Sequence, residues 1–172
     1  MDDTTLVARA LAGDEQAFEA LVERHQRRLY AVAQRVLGDH DAADEATQRS
    51  FVRAFERLRS FRGEASFSTW LQRILMNECR DILRAQRRHV DLETVPESRL
   101  PVDDGIRAPL GTRLRNLVAS LPPRQQSVLS LRVFGELSFA QIADAEGITE
   151  NAAKVSFHHA VQRLRRWLGR PS

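Results

Sequence analysis

Cysteine occurs once in the 172 residues, as Cys79, so no internal disulfide can form and no Cys-rich zinc cluster can be built. Lysine is just as scarce: of the 26 basic side chains, 25 are arginine and the exception is Lys154. No apolar run approaches the length of a membrane span, so direct insertion into a bilayer is not expected. The opening stretch, MDDTTLVARALAGDEQAF, carries acids where a secretory leader is basic, and a cytoplasmic protein is expected. The metalloprotease H-E-x-x-H, the P-loop and the G-x-S-x-G elbow are all missing, so no enzymatic activity, metal or cofactor is expected. Glycine (8) and proline (6) are few and gather at the ends of periodic segments.

What is present is enough apolar material for a core: hydrophobic residues make up 42% of the chain, in a length suited to one large or two small domains. The net charge of +3 conceals a pattern. Residues 1–60 hold 9 basic and 11 acidic side chains, residues 61–90 hold 6 and 3, residues 91–112 hold 2 and 5, and residues 113–172 hold 9 and 4. Two basic blocks therefore flank an acidic stretch. Such an arrangement suits two contacts with a polyanion, although solvated arginine faces give the same count.

The periodicity is helical almost throughout, with no alternation long enough for a strand. Helices are expected at about Thr4 to Ala12, Glu15 to Leu37, Asp41 to Arg59, Phe67 to Arg88, Leu110 to Ser120, Pro123 to Phe134, Ser138 to Ala145 and Glu150 to Leu168. Asp14 and Ser66 are placed to cap, and Gly38 to end a helix. Residues 91–112, with Pro96, Pro101, Pro109 and the Asp103-Asp104 pair, read as an extended linker whose acids keep it off nucleic acid. The expected architecture is all-α: an N-terminal domain over 1–90, the linker, and a C-terminal domain over 113–172.

Two helices carry chemistry. On the one from Phe67 to Arg88, Phe67, Leu71, Ile74, Leu75 and Ile82 share an apolar side, with Trp70 at its border and Cys79 near it as a small core hydrophobe. Arg73, Asn77, Arg80, Arg84 and Arg87 fall on the other side as one cationic stripe. Arginine's planar fork gives phosphate two hydrogen bonds at once, and aromatics beside such cations stack unpaired bases. A solvated arginine face over an ordinary core is the plainer alternative. Further on, Ser138 to Thr149 gives a short helix, a Gly147 turn and a capped second helix, the helix-turn-helix order. On that second helix Ala153, Phe157, Ala160, Leu164 and Leu168 make the buried stripe. Val155, His159, Gln162 and Arg166 lie opposite, flanked by Lys154, Ser156 and His158. Val155, apolar where solvent is expected, suits contact with a thymine methyl.

Together the halves resemble the extracytoplasmic-function (ECF) group of the sigma-70 family. Phe61-Arg-Gly-Glu-Ala-Ser-Phe-Ser-Thr-Trp70-Leu-Gln-Arg-Ile-Leu-Met-Asn77-Glu-Cys-Arg-Asp81 is similar to the family's F-R-G-x-x-x-F-x-T-W-L-x-R-I-x-x-N-x-x-x-D run. Ala43 to Phe51 resembles the helix that grips the β′ coiled coil of RNA polymerase, and Leu121 to Leu129 with Leu137 to Ala143 resembles the promoter-reading domain. The resemblance implies that Asp44, Glu45, Gln48, Phe51 and Phe55 meet core polymerase, whose β flap would meet the C-terminal domain. It implies that Phe61, Arg62, Phe67, Trp70, Arg73, Asn77 and Asp81 lie at or near a flipped base of the melted −10 element, with Arg80, Arg84, Arg87 and Arg88 on phosphates. By the same resemblance Lys154, Val155, Ser156, His158, His159 and Gln162 read the double-stranded −35 element, Arg132 meets DNA backbone, and an anti-sigma factor is a usual partner.

Departures from the family pattern fall in the reading helix, where Ala153-Lys-Val-Ser156 stands for the common Val-Lys-Ser-Arg, and in the grip helix at Ala46, Thr47 and Arg49. The first set should shift −35 preference. The end of the chain at Ser172 leads us to expect no large regulatory domain after the reading helix. The rival reading is a stand-alone helix-turn-helix repressor or activator, and a third is a helical adaptor that never touches DNA. The stripe beside Phe61 and Trp70 speaks against the rival, and the basic excess of the last 60 residues against the adaptor. Adjacent helix positions point about 100° apart, so His158 and His159 do not share a metal. Both are read as DNA-facing donors, and a further hypothesis is that histidine protonation tunes promoter binding, so that affinity differs between pH 6 and pH 8. A His-to-Gln double variant showing the same pH response in a binding titration would refute this.

Overall fold

The computed structural model describes residues 1–92 and 110–169. Among them the elements are α1 (Asp3–Leu11), α2 (Glu15–Leu37), α3 (His40–Arg57), a 3-10 turn (Leu58–Ser60), α4 (Phe67–Leu92), α5 (Leu110–Ala119), α6 (Pro123–Val133), α7 (Phe139–Glu146) and α8 (Glu150–Leu168). The all-α class is as expected. The stretch expected as a linker falls mostly on 93–109, outside the described residues.

Caps set the boundaries. Asp2, Asp14, Asp39 and Thr149 each accept a hydrogen bond from the backbone N–H three residues on, and Ser66 does the same for Thr69 at 3.1 Å. Asp39 accordingly starts α3 one residue before the expected Asp41, and the expected last turn of that helix tightens into the 3-10 turn. Ser138 and Gln141 form a reciprocal capping box, so Ser138 caps α7 from outside. Gly38 (φ 70°) and Gly147 (φ 65°) end α2 and α7 in the left-handed region, where a Cβ is strained.

Leu21, Leu29, Val32, Leu71, Leu75 and Met76 are buried at the centre of the α1–α4 unit, with Cys79 among them. Burial pushes the Cys79 thiol up to about 12, which keeps it unreactive and fits its reading as a core hydrophobe. Arg53 of α3 pairs with the buried Glu78 carboxylate of α4 and ties those two helices. The α5–α8 unit has its own small cluster of Val118, Leu121, Leu129 and Ala160. Leu168, expected in the buried stripe of α8, is exposed, and its neighbour Trp167 packs against this cluster instead. α5 begins at Leu110, where the periodicity placed a helix start.

The two units are docked, which the sequence did not reveal. Val128, Leu131, Leu137, Ile142, Ala145 and Ala153 join the same buried cluster as the N-terminal core, with α7 packed on α4 and α6 on α2. Polar contacts run along this seam. Gln126 Nε2 donates to the Arg35 carbonyl at 2.6 Å, Gln72 Nε2 donates to the Gly135 carbonyl at 3.2 Å, and Arg28 pairs with Glu136 at 2.6 Å. The Arg35 guanidinium lies 4.5 Å from the Phe134 ring centroid.

Two predictions test this packing. A Cβ on Gly135 would sit hard against Gln72 Oε1 and 2.7 Å from the Leu131 carbonyl oxygen. Gly135→Ala should therefore destabilise by about 1–3 kcal/mol through overpacking, lowering Tm by roughly 2–9 °C; an unchanged melting curve would count against the seam. The second concerns His25, which is buried, sits 5.5 Å from the Phe67 ring and meets Asp3 at 2.8 Å. Burial lowers its pKa, against the raising pull of Asp3. The unfolded chain therefore takes up the proton first. The stability that neutral His25 contributes is present above its ordinary pKa and lost as pH falls through it. Tm of the native sequence should drop more between pH 7.5 and pH 5.5 than that of His25→Gln, and equal drops would refute the assignment.

Candidate nucleic-acid interface

The 3-10 turn delivers the chain into a loop, with Phe61 N–H donating to the Leu58 carbonyl at 3.1 Å and Gly63 at φ 72° bending it back toward α4. Three aromatic rings meet there: Phe61 lies 5.9 Å from Phe67 and 5.2 Å from Trp70, and Phe67 lies 5.8 Å from Trp70. Phe67 is only 3% exposed, so it supports the other two from the core rather than presenting a face itself. It lies on the apolar side of α4, as its spacing suggested. Phe61 and Trp70 are half-buried and open onto a cleft of about 570 Å³. The loop, Thr69, Trp70 and Arg73 line one side of it, and Ala140, Gln141 and Asp144 of α7 line the other.

From this cleft the cationic stripe runs along α4. Arg62, Arg73, Asn77, Asp81, Arg84, Arg87 and Arg88 are exposed, and Arg80 is half-buried. Arg80 donates to Asn77 Oδ1 at 3.1 Å and pairs with Glu146 at 2.9 Å, along an axis too oblique for a directed hydrogen bond. Burial pushes the Glu146 carboxyl up, against the opposing pull of Arg80. Arg73 faces Asp144 at 3.9 Å and Arg84 faces Asp81 at 3.5 Å. Asp81 thus balances a neighbouring cation on the exposed face rather than entering the cleft.

On α8, Lys154, Val155, His158, His159 and Gln162 are exposed and share an outward face, with half-buried Ser156 at its border. Lys154 pairs with Glu150 one turn earlier at 2.8 Å, and the two histidine rings stand 6.3 Å apart. Arg132 donates to the Leu137 carbonyl at 2.8 Å with its guanidinium 4.8 Å from the Phe139 ring, so it braces the α6–α7 turn while remaining exposed.

On α3, Asp44, Glu45 and Gln48 are exposed, with Gln48 donating to Asp44 at 2.8 Å and Arg49 paired to Glu45. Phe55 is 57% exposed, its ring edge-on to Phe18. Phe51, expected on the same surface, is buried, because it lies on the side of the helix that carries Thr47, Ser50 and Ala54 into the bundle. Sequence reasoning missed Val52, 58% exposed one turn before Phe55. It also missed Gln141, Asp144 and Glu146, whose place beside α4 depends on the docking of the two units.

Both halves match family models, residues 21–89 that of Sigma-70 region 2 and residues 112–164 that of Sigma-70, region 4. The ECF RNA polymerase sigma-E factor of Haemophilus influenzae is 30% identical over 163 residues, covering 84% of this chain and 83% of that protein. The ECF sigma factor SigM of Mycobacterium tuberculosis is 32% identical over 169 residues, covering 97% and 85%. Among solved structures, CnrH in complex with the cytosolic domain of CnrY aligns over 99% of both chains with a TM-score of 0.76 and 25% identity. RpoE of Bartonella quintana, solved with the anti-sigma factor NepR, has the same fold at a TM-score of 0.75. Two family regions in their proper order, with relatives aligned along most of their length, establish that this chain belongs to the ECF group of sigma-70 RNA polymerase sigma factors.

Proposed function

We propose that this sigma factor binds core polymerase through the outer face of α3, captures a −10 base in the cleft beside Phe61 and Trp70, and reads the −35 element with α8. The observation that carries the reading is the aromatic cleft at the head of the α4 arginine stripe, in the same chain as a helix-turn-helix with an outward polar face. A base extruded from the duplex loses its stacking, and the aromatic wall of the cleft restores part of it, while Arg84, Arg87 and Arg88 neutralise the phosphates that follow. On α3, Asp44, Glu45 and Gln48 supply polar contacts around the exposed pair Val52 and Phe55, an apolar centre with a polar rim. On α8, Lys154, His158, His159 and Gln162 reach base edges and phosphates and Val155 a thymine methyl, with Arg132 at the backbone. The polymerase, not this chain, does the chemistry, and the setting is the bacterial cytoplasm. Among the described residues no helix is long and apolar enough to cross a membrane. The CnrH–CnrY and RpoE–NepR complexes support an anti-sigma partner here.

Run-off transcription with purified core polymerase over a genomic fragment library tests the reading. Promoter-dependent transcripts are expected. Their absence, with tight DNA binding by the chain alone as a dimer, would establish the stand-alone repressor instead. Trp70→Ala and Asn77→Ala should weaken open-complex formation, the first by about 1–3 kcal/mol as one stacked base is lost. Core binding should be preserved, and equal loss of both would point to misfolding.

A further inference from the structure

The docked arrangement places two acids of α7 on Arg73 and Arg80, the arginines of the stripe nearest the proposed −10 cleft. Glu146 lies against Arg80 and Asp144 faces Arg73, while Ala140 and Gln141 close the far wall of the Phe61–Trp70 cleft. Ile142 and Ala145, on the opposite side of the same short helix, are buried in the shared core and hold it there. The reading face of α8 stays exposed in this arrangement, and so do Val52 and Phe55 of α3.

We propose that α7 is a built-in occupant of the −10 site, its Asp144 and Glu146 carboxylates standing where DNA phosphates would lie, so that the free chain masks its −10 interface and leaves its −35 face open. This rests on the function proposed above. An arginine facing a carboxylate at 2.9 Å is not available to a phosphate, and a single strand entering the cleft would collide with α7. The clasp is built to release. Glu146 is buried, and a carboxylate taken from water largely offsets by its desolvation what its ion pair contributes. Glu146 also faces Arg124 of α6, which holds it within its own unit when Arg80 lets go. Engagement of α3 by polymerase can therefore precede opening, and −10 capture follows it.

The test is fluorescence anisotropy of the full chain with a labelled mixed-sequence single-stranded oligonucleotide of about 12 nucleotides, at one fixed salt concentration. Glu146→Lys sets like charges against Arg80 and should raise affinity on the order of tenfold by populating the open form. Glu19→Lys makes the same charge change on exposed α2 and should stay within about twofold of the native chain. Arg28→Glu repels Glu136 at the far end of the seam and makes the protein more acidic. It should nevertheless bind the strand about two- to threefold more tightly. Equal gains for Glu146→Lys and Glu19→Lys, or weaker binding by Arg28→Glu, would overturn the clasp. If Glu146→Lys fails to fold by circular dichroism, Arg28→Glu decides alone. Transcription by the native chain separates the two ideas. Without promoter-dependent transcripts the sigma reading itself falls, whereas transcripts with unmoved variants remove the clasp only.

Discussion

The structure depends on one helix satisfying three environments at once. Leu71, Leu75, Met76 and Cys79 of α4 are fully buried in the N-terminal core, and Gln72 is equally buried against the second unit. The remaining arc carries Arg73, Asn77, Arg84 and Arg87 toward solvent. A helix sandwiched this way has little freedom to roll, because a turn of one residue would bring arginine into the core. Rigidity on two sides therefore fixes the position of the third. The cleft beside Trp70 and the spacing of the cations along the stripe follow from that constraint.

Much of this was legible in the sequence, because much of it is local. Capping residues, left-handed glycines and the period of apolar positions reproduced the helices, including both ends of α2 and α8. The aromatic loop followed by cations on one helical face marked the cleft. Phe51 was misread because an aromatic residue near a functional surface can support it or present it, and only the packing distinguishes the two. Val52 was passed over because a valine on a mixed-charge helix carries no signal of its own. The docking of the units was illegible for a different reason. It joins residues such as Arg28 and Glu136, or Gln72 and Gly135, that are far apart along the chain and carry no motif.

The contacts on the α4 stripe also explain why arginine and acid recur together in a DNA-facing region. A guanidinium that awaits phosphate needs a partner meanwhile, and a carboxylate of the same chain provides one without fixing it permanently. Surface pairs such as Arg84 with Asp81 contribute little stability and exchange readily. The pairing of Arg80 with a buried carboxylate differs, since separating it returns Glu146 to water as well as freeing the cation.

The near-absence of lysine gives the molecule an unusual chemical address. Apart from the α-amino group, the chain carries a single primary amine, Lys154, exposed one turn into α8 on the face proposed to read DNA. Amine-directed reagents and lysine-modifying enzymes that shift charge across many proteins therefore have one side chain to act on here, and it lies at the N-terminal end of the proposed reading surface. Acylation there would erase a cation at the groove and its pairing with Glu150, while leaving the arginine stripe of α4 untouched.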